Sequence, residues 1–173
     1  MSREVHFHNR NITFPENTHQ LPYNISTKII SKSGESRTYR DVILLTPGDW
    51  TDSRTMAPVR YTPELLKEFH NRWSKDFLNL DHQWTVLNRV GWVKNPRCLN
   101  DGTIIADLKI SKVTQNGKDI VESIEDGLIN ELSVELMSDD KWDSKEQIRL
   151  ANDIEFIGCA IVTEGACQET KIK

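Results

Sequence analysis

The stretch FLNLDHQWTVLNRVGWV, residues 77–93, decides how this chain folds, because it sets two ionisable residues inside a mostly apolar and aromatic run. A buried strand normally avoids an adjacent carboxylate and imidazole, since each costs free energy to desolvate unless it finds a partner. Asp81 and His82 occupy those two positions. We therefore treat this run as a strand that carries a chemical group and search the rest of the chain for its partner.

Length and composition bound the class of protein. The chain has 173 residues, enough for one domain with a sizeable core, and 37% hydrophobic with 28% charged residues is typical of a globular protein. A net charge of −4 argues against a direct nucleic-acid role, which relies on clustered Lys and Arg. There is no apolar run near ~18 residues and no signal-peptide pattern, so we expect no membrane partner and an intracellular site.

The three cysteines form no CxxC pair, which favours reduced thiols over a disulfide or a zinc site. They are Cys98, Cys159 and Cys167. The chain also lacks a Walker A loop, GxGxxG, HExxH and a GxSxG elbow. We therefore expect no cofactor and no metal. Asp139, Asp140 and Asp143 form an acidic cluster that could bind a divalent cation or could be a solvated turn.

The pattern along the chain predicts an α+β fold with about six strands and two helices. Residues 1–26 are predicted to be a polar N-terminal arm and residues 27–173 a single domain. Two strands should flank a Ser-Gly turn in residues 27–48, and a long loop follows at 48–60. Strands at this spacing suggest a mainly antiparallel, closed or partly closed β-barrel, which removes exposed edges, with two or more flanking helices.

Both helices are predicted from an apolar stripe. In YTPELLKEFHNRW, residues 61–73, Thr62 should cap a helix whose apolar face extends to Trp73. In GKDIVESIEDGL, residues 117–128, the stripe extends to Leu128. The strand NELSVELMS, residues 130–138, should place Leu132, Val134 and Leu136 on one face and Ser133, Glu135 and Met137 on the other.

A histidine and a serine interrupt apolar runs about fifty residues apart. A serine becomes a useful nucleophile when a base takes its proton, and histidine is the usual base near neutral pH. His82 and Ser133 could form such a pair. The alternative is equally simple: a hydrogen-bonded structural histidine and a solvated serine on a polar strand face. Triads assemble in space, so spacing along the chain leaves both interpretations open.

The order of several segments resembles the tailed-phage prohead proteases, which are capsid-maturation serine proteases similar in fold to the herpesvirus assemblins. The segments are LNLDHQ followed by VGWV, then ADLKI, EDGLIN, ELSVEL and AIVTEGAC, over roughly residues 38–168. The resemblance implies a herpesvirus-protease-like barrel. It also implies that His82 is the general base and that Ser133 is the nucleophile.

One position departs from the family pattern. The third member of the triad is usually a Glu, Asp or His on the closing strand, where this chain has Gly158 and Cys159. We expect Glu155 to substitute, with Asp153 as the next candidate. Asp81 is expected to brace the turn that presents His82.

The expected oxyanion donors are backbone N–H groups in the segment 138–149, SDDKWDSKEQIR.

The resemblance implies a serine endopeptidase that cleaves scaffolding protein, the arms of the major capsid protein and itself. It would act in the host cytoplasm, inside the assembling procapsid, with possible self-association. Two alternatives stay open. One is a catalytically inactive virion structural or scaffold-associated protein with the same barrel, as the absent acid would suggest. The other is an unrelated β-barrel binding module that uses the loop 48–60.

Overall fold

The structure is a computed structural model that describes residues 3–7, 10–14, 18–24, 28–33, 35–51 and 58–163, and it is mostly β. The two helices of these ranges are α1 (Pro63–Phe69) and α2 (Gln115–Glu125). The strands are β1 (Arg3–Phe7), β2 (Arg10–Phe14), β3 (Thr18–Asn24), β4 (Lys28–Ser33), β5 (Ser36–Leu45), β6 (Gly48–Trp50), β7 (Val59–Tyr61), β8 (Trp73–Leu80), β9 (Arg89–Cys98), β10 (Ile104–Ser111), β11 (Glu131–Asp143) and β12 (Ile148–Val162).

The main sheet has ten strands, and its path runs β3-β11-β12-β8-β9-β10-β5-β4, with β7 on β12 and β6 on β7. Strand β12 pairs in parallel with both β8 and β7, while the other ladders are antiparallel. The sheet is therefore mixed, and the prediction of a mainly antiparallel barrel needs this correction. It curls into a half-barrel with two helices, which fits an α+β fold, and the described ladders do not show closure.

The hydrophobic core lies inside the curl. Alternation places every second residue of a strand on this side. Leu132, Val134 and Leu136 of β11 are fully buried there, as the sequence predicts. Aromatic and aliphatic residues of the neighbouring strands complete the cluster, including Tyr39, Leu44, Leu78, Leu108, Ile110 and Phe156.

The first helix begins where predicted and ends earlier. Thr62 caps it, and its side chain accepts a hydrogen bond from the Leu65 N–H at 3.2 Å. Helix α1 ends at Phe69, and Trp73 is the first residue of β8. Trp73 stacks on Phe156 of β12 with ring centroids 4.8 Å apart. Trp73 therefore packs within the sheet, and the prediction that the helix extends to residue 73 is wrong.

The second helix is shifted toward the N-terminus of its predicted range. Thr114 caps it by accepting the Gly117 N–H at 3.2 Å, and the helix ends at Glu125. Gly117 is required because a Cβ there would lie 1.8 Å from the Ser111 carbonyl oxygen. Leu128 lies beyond the helix and is 79% exposed, so its predicted place on the buried stripe is wrong.

The N-terminal segment, predicted to be a polar arm, contains strands in its described ranges. Strands β1 and β2 form a separate antiparallel pair, and β3 adds to the main sheet beside β11. Residues 52–57 of the predicted long loop, and Cys167, lie outside the described ranges. The division of the chain at residue 26 stays a prediction. In the described part, neither helix has the length and apolar character needed to cross a bilayer.

Leu78 and Leu128 offer a matched test of the core. Leu78 is completely buried on β8, whereas Leu128 is 79% exposed. Leu78→Ala should lower the free energy of unfolding by about 2–5 kcal/mol, because it leaves a cavity. Leu128→Ala should change it by less than about 0.5 kcal/mol. Urea unfolding followed by circular dichroism measures both, and equal effects would contradict the burial described here.

Candidate active site

His82 lies in a loop that leaves the sheet immediately after β8. Asp81 and His82 have φ angles of 47° and 57°, a left-handed conformation that is uncommon outside glycine but enriched in Asp and His. The Asp81 N–H donates to the Ile161 carbonyl at 3.0 Å, and the Leu80 N–H donates to the Asn88 carbonyl at 2.9 Å. Residues 81–88 thus form a loop between two strands, whereas the sequence alone suggested one continuous strand carrying His82.

The loop brings His82 to a carboxylate on β11. His82 Nδ1 lies 2.8 Å from Glu135 Oε1, and the Trp84 indole N–H donates to the same oxygen at 3.2 Å. The His82 and Glu135 side chains are only 15% and 2% exposed. A buried carboxylate needs hydrogen-bond donors to offset its lost hydration. These two ring N–H groups supply them, while Glu135 Oε2 is buried without a hydrogen-bond partner.

Ser133 lies two residues before Glu135 on the same strand. Alternation places both side chains on the face opposite the hydrophobic core, with Cα atoms roughly 6–7 Å apart. One of the two interpretations of the sequence made Ser133 a solvated residue, yet it is only 5% exposed. Because Glu135 takes Nδ1, the nitrogen of His82 left for a serine proton is Nε2. Ser133 and Glu135 thus share one covered face of β11, and the Glu135 carboxylate contacts the His82 imidazole.

The carboxylate partner of His82 is Glu135 and not the expected Glu155. Glu155 lies on β12 opposite Met137, two residues further from Ser133 along β11 than Glu135. Asp153 is half-exposed and forms an ion pair with Arg72. Glu135 was missed because the family pattern places the third member on the closing strand, so the acid was sought on that strand. The one available signal was a lone Glu between the core residues Val134 and Leu136.

The backbone explains why the closing strand carries no acid at residue 158. Gly158 is the register partner of Glu135, and it also pairs with Phe77 on β8. A Cβ on Gly158 would lie 2.6 Å from the Phe77 carbonyl oxygen and 3.4 Å from Glu135 Oε2. The strands are thus too close at this point for any side chain. The carboxylate of Glu135 lies beside the space that a residue 158 side chain would use.

Cys159 follows Gly158 and is fully buried. Burial raises the pKa of its thiol well above the usual value, and the negative charge of Glu135 raises it further. A neutral thiol is a poor nucleophile. Cys159 is therefore a packing residue on the opposite face of β12 from Gly158, and it does not compete with Ser133.

The segment 138–149 does not form the expected loop beside the nucleophile. Strand β11 continues to Asp143 and β12 begins at Ile148, so the segment is mostly strand with a turn at 144–147. Eleven residues of strand place that turn roughly 35 Å from Ser133. Its N–H groups cannot serve an oxyanion at Ser133, and the expectation is corrected.

The acidic cluster lies in this same hairpin. The Asp143 carboxylate accepts the N–H of Lys145 at 2.8 Å, and Asp140 accepts the Ser138 hydroxyl at 2.5 Å. Across residues 35–51 and 58–163, no three His, Cys, Asp or Glu side chains are grouped so that they could hold a metal ion.

Aromatic and basic side chains border the loop. Phe77 and Trp84 meet edge to face with centroids 5.7 Å apart. Arg89 lies 3.6 Å over the Phe77 ring, and Lys75 lies 5.0 Å over the Trp84 ring. Cation–π contacts of this kind hold the charged groups over the rings. They fix Trp84 in the position from which it donates to Glu135.

The comparisons with known proteins rest on structure. No protein-family model and no curated protein sequence matches the chain. Among solved structures, the chain is similar to the bacteriophage T4 capsid assembly protease, gp21, with a TM-score of 0.59 and 11% sequence identity. The match covers 86% of this chain and 99% of that chain. At this identity the likeness shows a shared fold: the chain has the fold of a phage capsid assembly protease.

A pair of substitutions tests which carboxylate orients His82. Glu135→Met keeps the side-chain length but removes the acceptor, so the Nδ1–H proton should exchange with water and its downfield NMR signal should disappear. Glu155→Met should leave that signal in place. The signal is assigned by its loss in His82→Ala. Loss in the Glu155 variant instead would make Glu155 the partner.

Gly158→Ala tests the close approach of β8 and β12. The added methyl group meets backbone, so the strands must separate, and we expect a loss of about 1–3 kcal/mol in the free energy of unfolding. The Nδ1–H signal of His82 should also shift, because Glu135 is the register partner of residue 158. Gly127→Ala is the control. Gly127 has a φ of 73° and open space around it, so strain there should leave the His82 signal unchanged.

Proposed function

We propose that this chain is a serine endopeptidase of phage head maturation, in which Ser133 is the nucleophile, His82 the general base and Glu135 the residue that orients the imidazole. The observation that carries the proposal is the 2.8 Å contact between His82 Nδ1 and Glu135 Oε1. A carboxylate on Nδ1 fixes the tautomer whose Nε2 accepts a proton, as catalytic triads require. The shared fold with a capsid assembly protease supports the same conclusion.

The reaction would proceed through an acyl-enzyme. His82 Nε2 accepts the Ser133 proton while Ser133 Oγ attacks the scissile carbonyl carbon. The imidazolium is stabilised by Glu135, and its proton passes to the leaving amine as the peptide C–N bond breaks. Water then attacks the ester through the same base, which returns Ser133 and releases the carboxylate product.

The substrates are proposed from the fold and from the resemblance of the sequence segments to prohead proteases. They are scaffolding protein, the arms of the major capsid protein and the chain itself, cut inside the procapsid in the host cytoplasm. The solved relative is named as a capsid assembly protease, which fits this role.

A catalytically inactive capsid-associated protein with the same fold is the second candidate. The absent acid at residue 158 first suggested it, and Glu135 now offers a carboxylate for that role. The observation that still favours it is the low exposure of Ser133, at 5%. A substrate can reach Ser133 only if the groups that cover it move.

A covalent probe separates the two candidates. An alkyl fluorophosphonate should label the wild-type chain at Ser133: the Ser133 Oγ–P bond forms, the P–F bond breaks, and the serine proton passes to His82. Labelling should vanish in Ser133→Ala and His82→Ala. It should slow by about 10²-fold or more in Glu135→Met, because the imidazole loses its orienting group. Mass spectrometry of intact chains and peptides measures each.

The matched control is Ser138→Ala, since Ser138 is equally buried on the same strand and donates to Asp140. Its labelling should equal that of the wild type.

Co-expression with the cognate capsid and scaffolding proteins then tests the substrates, with defined cleavages in wild type and none in Ser133→Ala. A chain that neither labels nor cleaves, although shells assemble, would establish the inactive structural protein.

A further inference from the structure

The proposed site of His82, Ser133 and Glu135 does not include a hydrogen-bond donor for the oxyanion. The segment expected to supply it is a hairpin far from Ser133. Among the described residues, however, one buried hydrogen-bond donor near Ser133 has no partner. Asn79 of β8 is only 2% exposed, and its side-chain Nδ2 has no hydrogen-bond partner. The great majority of buried polar groups in proteins have a hydrogen-bond partner, so an unpaired one needs a physical reason.

The strand register places Asn79 in line with the nucleophile. Asn79 pairs with Ala160 on β12, and Ala160 pairs with Ser133 on β11. Residues directly opposite each other on neighbouring strands share a face, so all three side chains lie on the covered face. Two strand spacings separate Asn79 from Ser133, about 10 Å between Cα atoms. Only the methyl group of Ala160 lies between the two polar side chains.

This spacing suits a carbonyl group bound to Ser133. The carbonyl carbon of an acylated serine is bonded to Oγ, and an oxyanion donor lies about 2.7–3.1 Å from the charged oxygen. Ala160 is itself fully buried. An oxygen could therefore reach the position above it, between Ser133 Oγ and the Asn79 amide, only after the groups that cover this face move. Side-chain amides are among the groups that stabilise oxyanions in acyl transfer.

We infer that Asn79 is a catalytic residue whose Nδ2 donates a hydrogen bond to the oxyanion formed on the peptide carbonyl at Ser133. This inference rests on the proposed function. It adds an oxyanion donor on β8, in place of the segment 138–149. It also gives the covered face a complete set of groups: a nucleophile, a base, an orienting carboxylate and an oxyanion donor.

The test compares fluorophosphonate labelling of Asn79→Leu with the wild type, because the phosphoryl oxygen of the probe gains charge as Ser133 attacks. Leucine has a similar volume and no donor. The maximal labelling rate should fall about 10²–10³-fold. The probe concentration for half-maximal rate should change less than about threefold. Thermal stability should hold or rise, because an unpaired buried amide is replaced by an apolar group.

Asn79→Asp provides a second variant should leucine perturb folding. It is nearly isosteric, and its carboxylate would repel the developing charge, so its loss of rate should be at least as large. Asn152→Leu, in the distant hairpin, is the control and should label at the wild-type rate. Because a purely structural role for Asn79 would lower stability and leave the labelling rate of the folded fraction unchanged, that result would overturn the inference.

Labelling distinguishes failure of the Asn79 inference from failure of the proposed serine-hydrolase function. Ser133-dependent labelling of the wild type together with unchanged labelling of both Asn79 variants would remove Asn79 from the site and leave the serine-hydrolase proposal standing. Absence of labelling in the wild type would remove both.

Discussion

The close parallel pairing of β8 with β12 is the constraint on which the rest of the site depends. Gly158 lets the two strands approach until a Cβ would lie 2.6 Å from the Phe77 carbonyl. This ladder joins the strand that precedes the His82 loop to the strand beside β11. Without it, the loop 81–88 would not be held where His82 contacts Glu135. The sharp turn at Asp81 is anchored to the same strand, through Ile161.

The groups that a serine hydrolase needs are held by different means. Ser133 and Glu135 are fixed relative to each other by the pleat of a single strand. His82 is held by a strained turn and by its contact with Glu135, and Trp84 shares that carboxylate. Lys75 and Arg89 lie over the rings of Trp84 and Phe77 at the border of this loop. In the proposed mechanism, strand β11 thus holds the acid and the nucleophile, while the group that accepts and releases a proton lies on a loop.

Local patterns predicted the parts of the fold that depend on neighbouring residues. The alternation of Leu132, Val134 and Leu136 and the cap at Thr62 follow from strand and helix geometry, and both were confirmed. The helix ends were wrong, because an apolar residue such as Trp73 or Leu128 fits a helical stripe whether or not the helix continues. His82 and Ser133 could be singled out as polar interruptions of apolar runs. Glu135 had only the weak signal of its place between two core residues, because its environment depends on a loop that folds back from another part of the chain.

The coupling of Glu135 to Gly158 bears on how such sites diverge. The resemblance to prohead proteases places the acid on the closing strand, whereas in the proposed site Glu135 on the neighbouring strand provides the carboxylate and the closing strand has Gly158. A single substitution cannot convert one arrangement into the other, since a Cβ at residue 158 would lie 2.6 Å from the Phe77 carbonyl oxygen and 3.4 Å from Glu135 Oε2. Residues 135 and 158 should therefore covary among related chains. A glycine in the closing strand is a reason to inspect the facing strand for a carboxylate before a homologue is classed as having lost its chemistry.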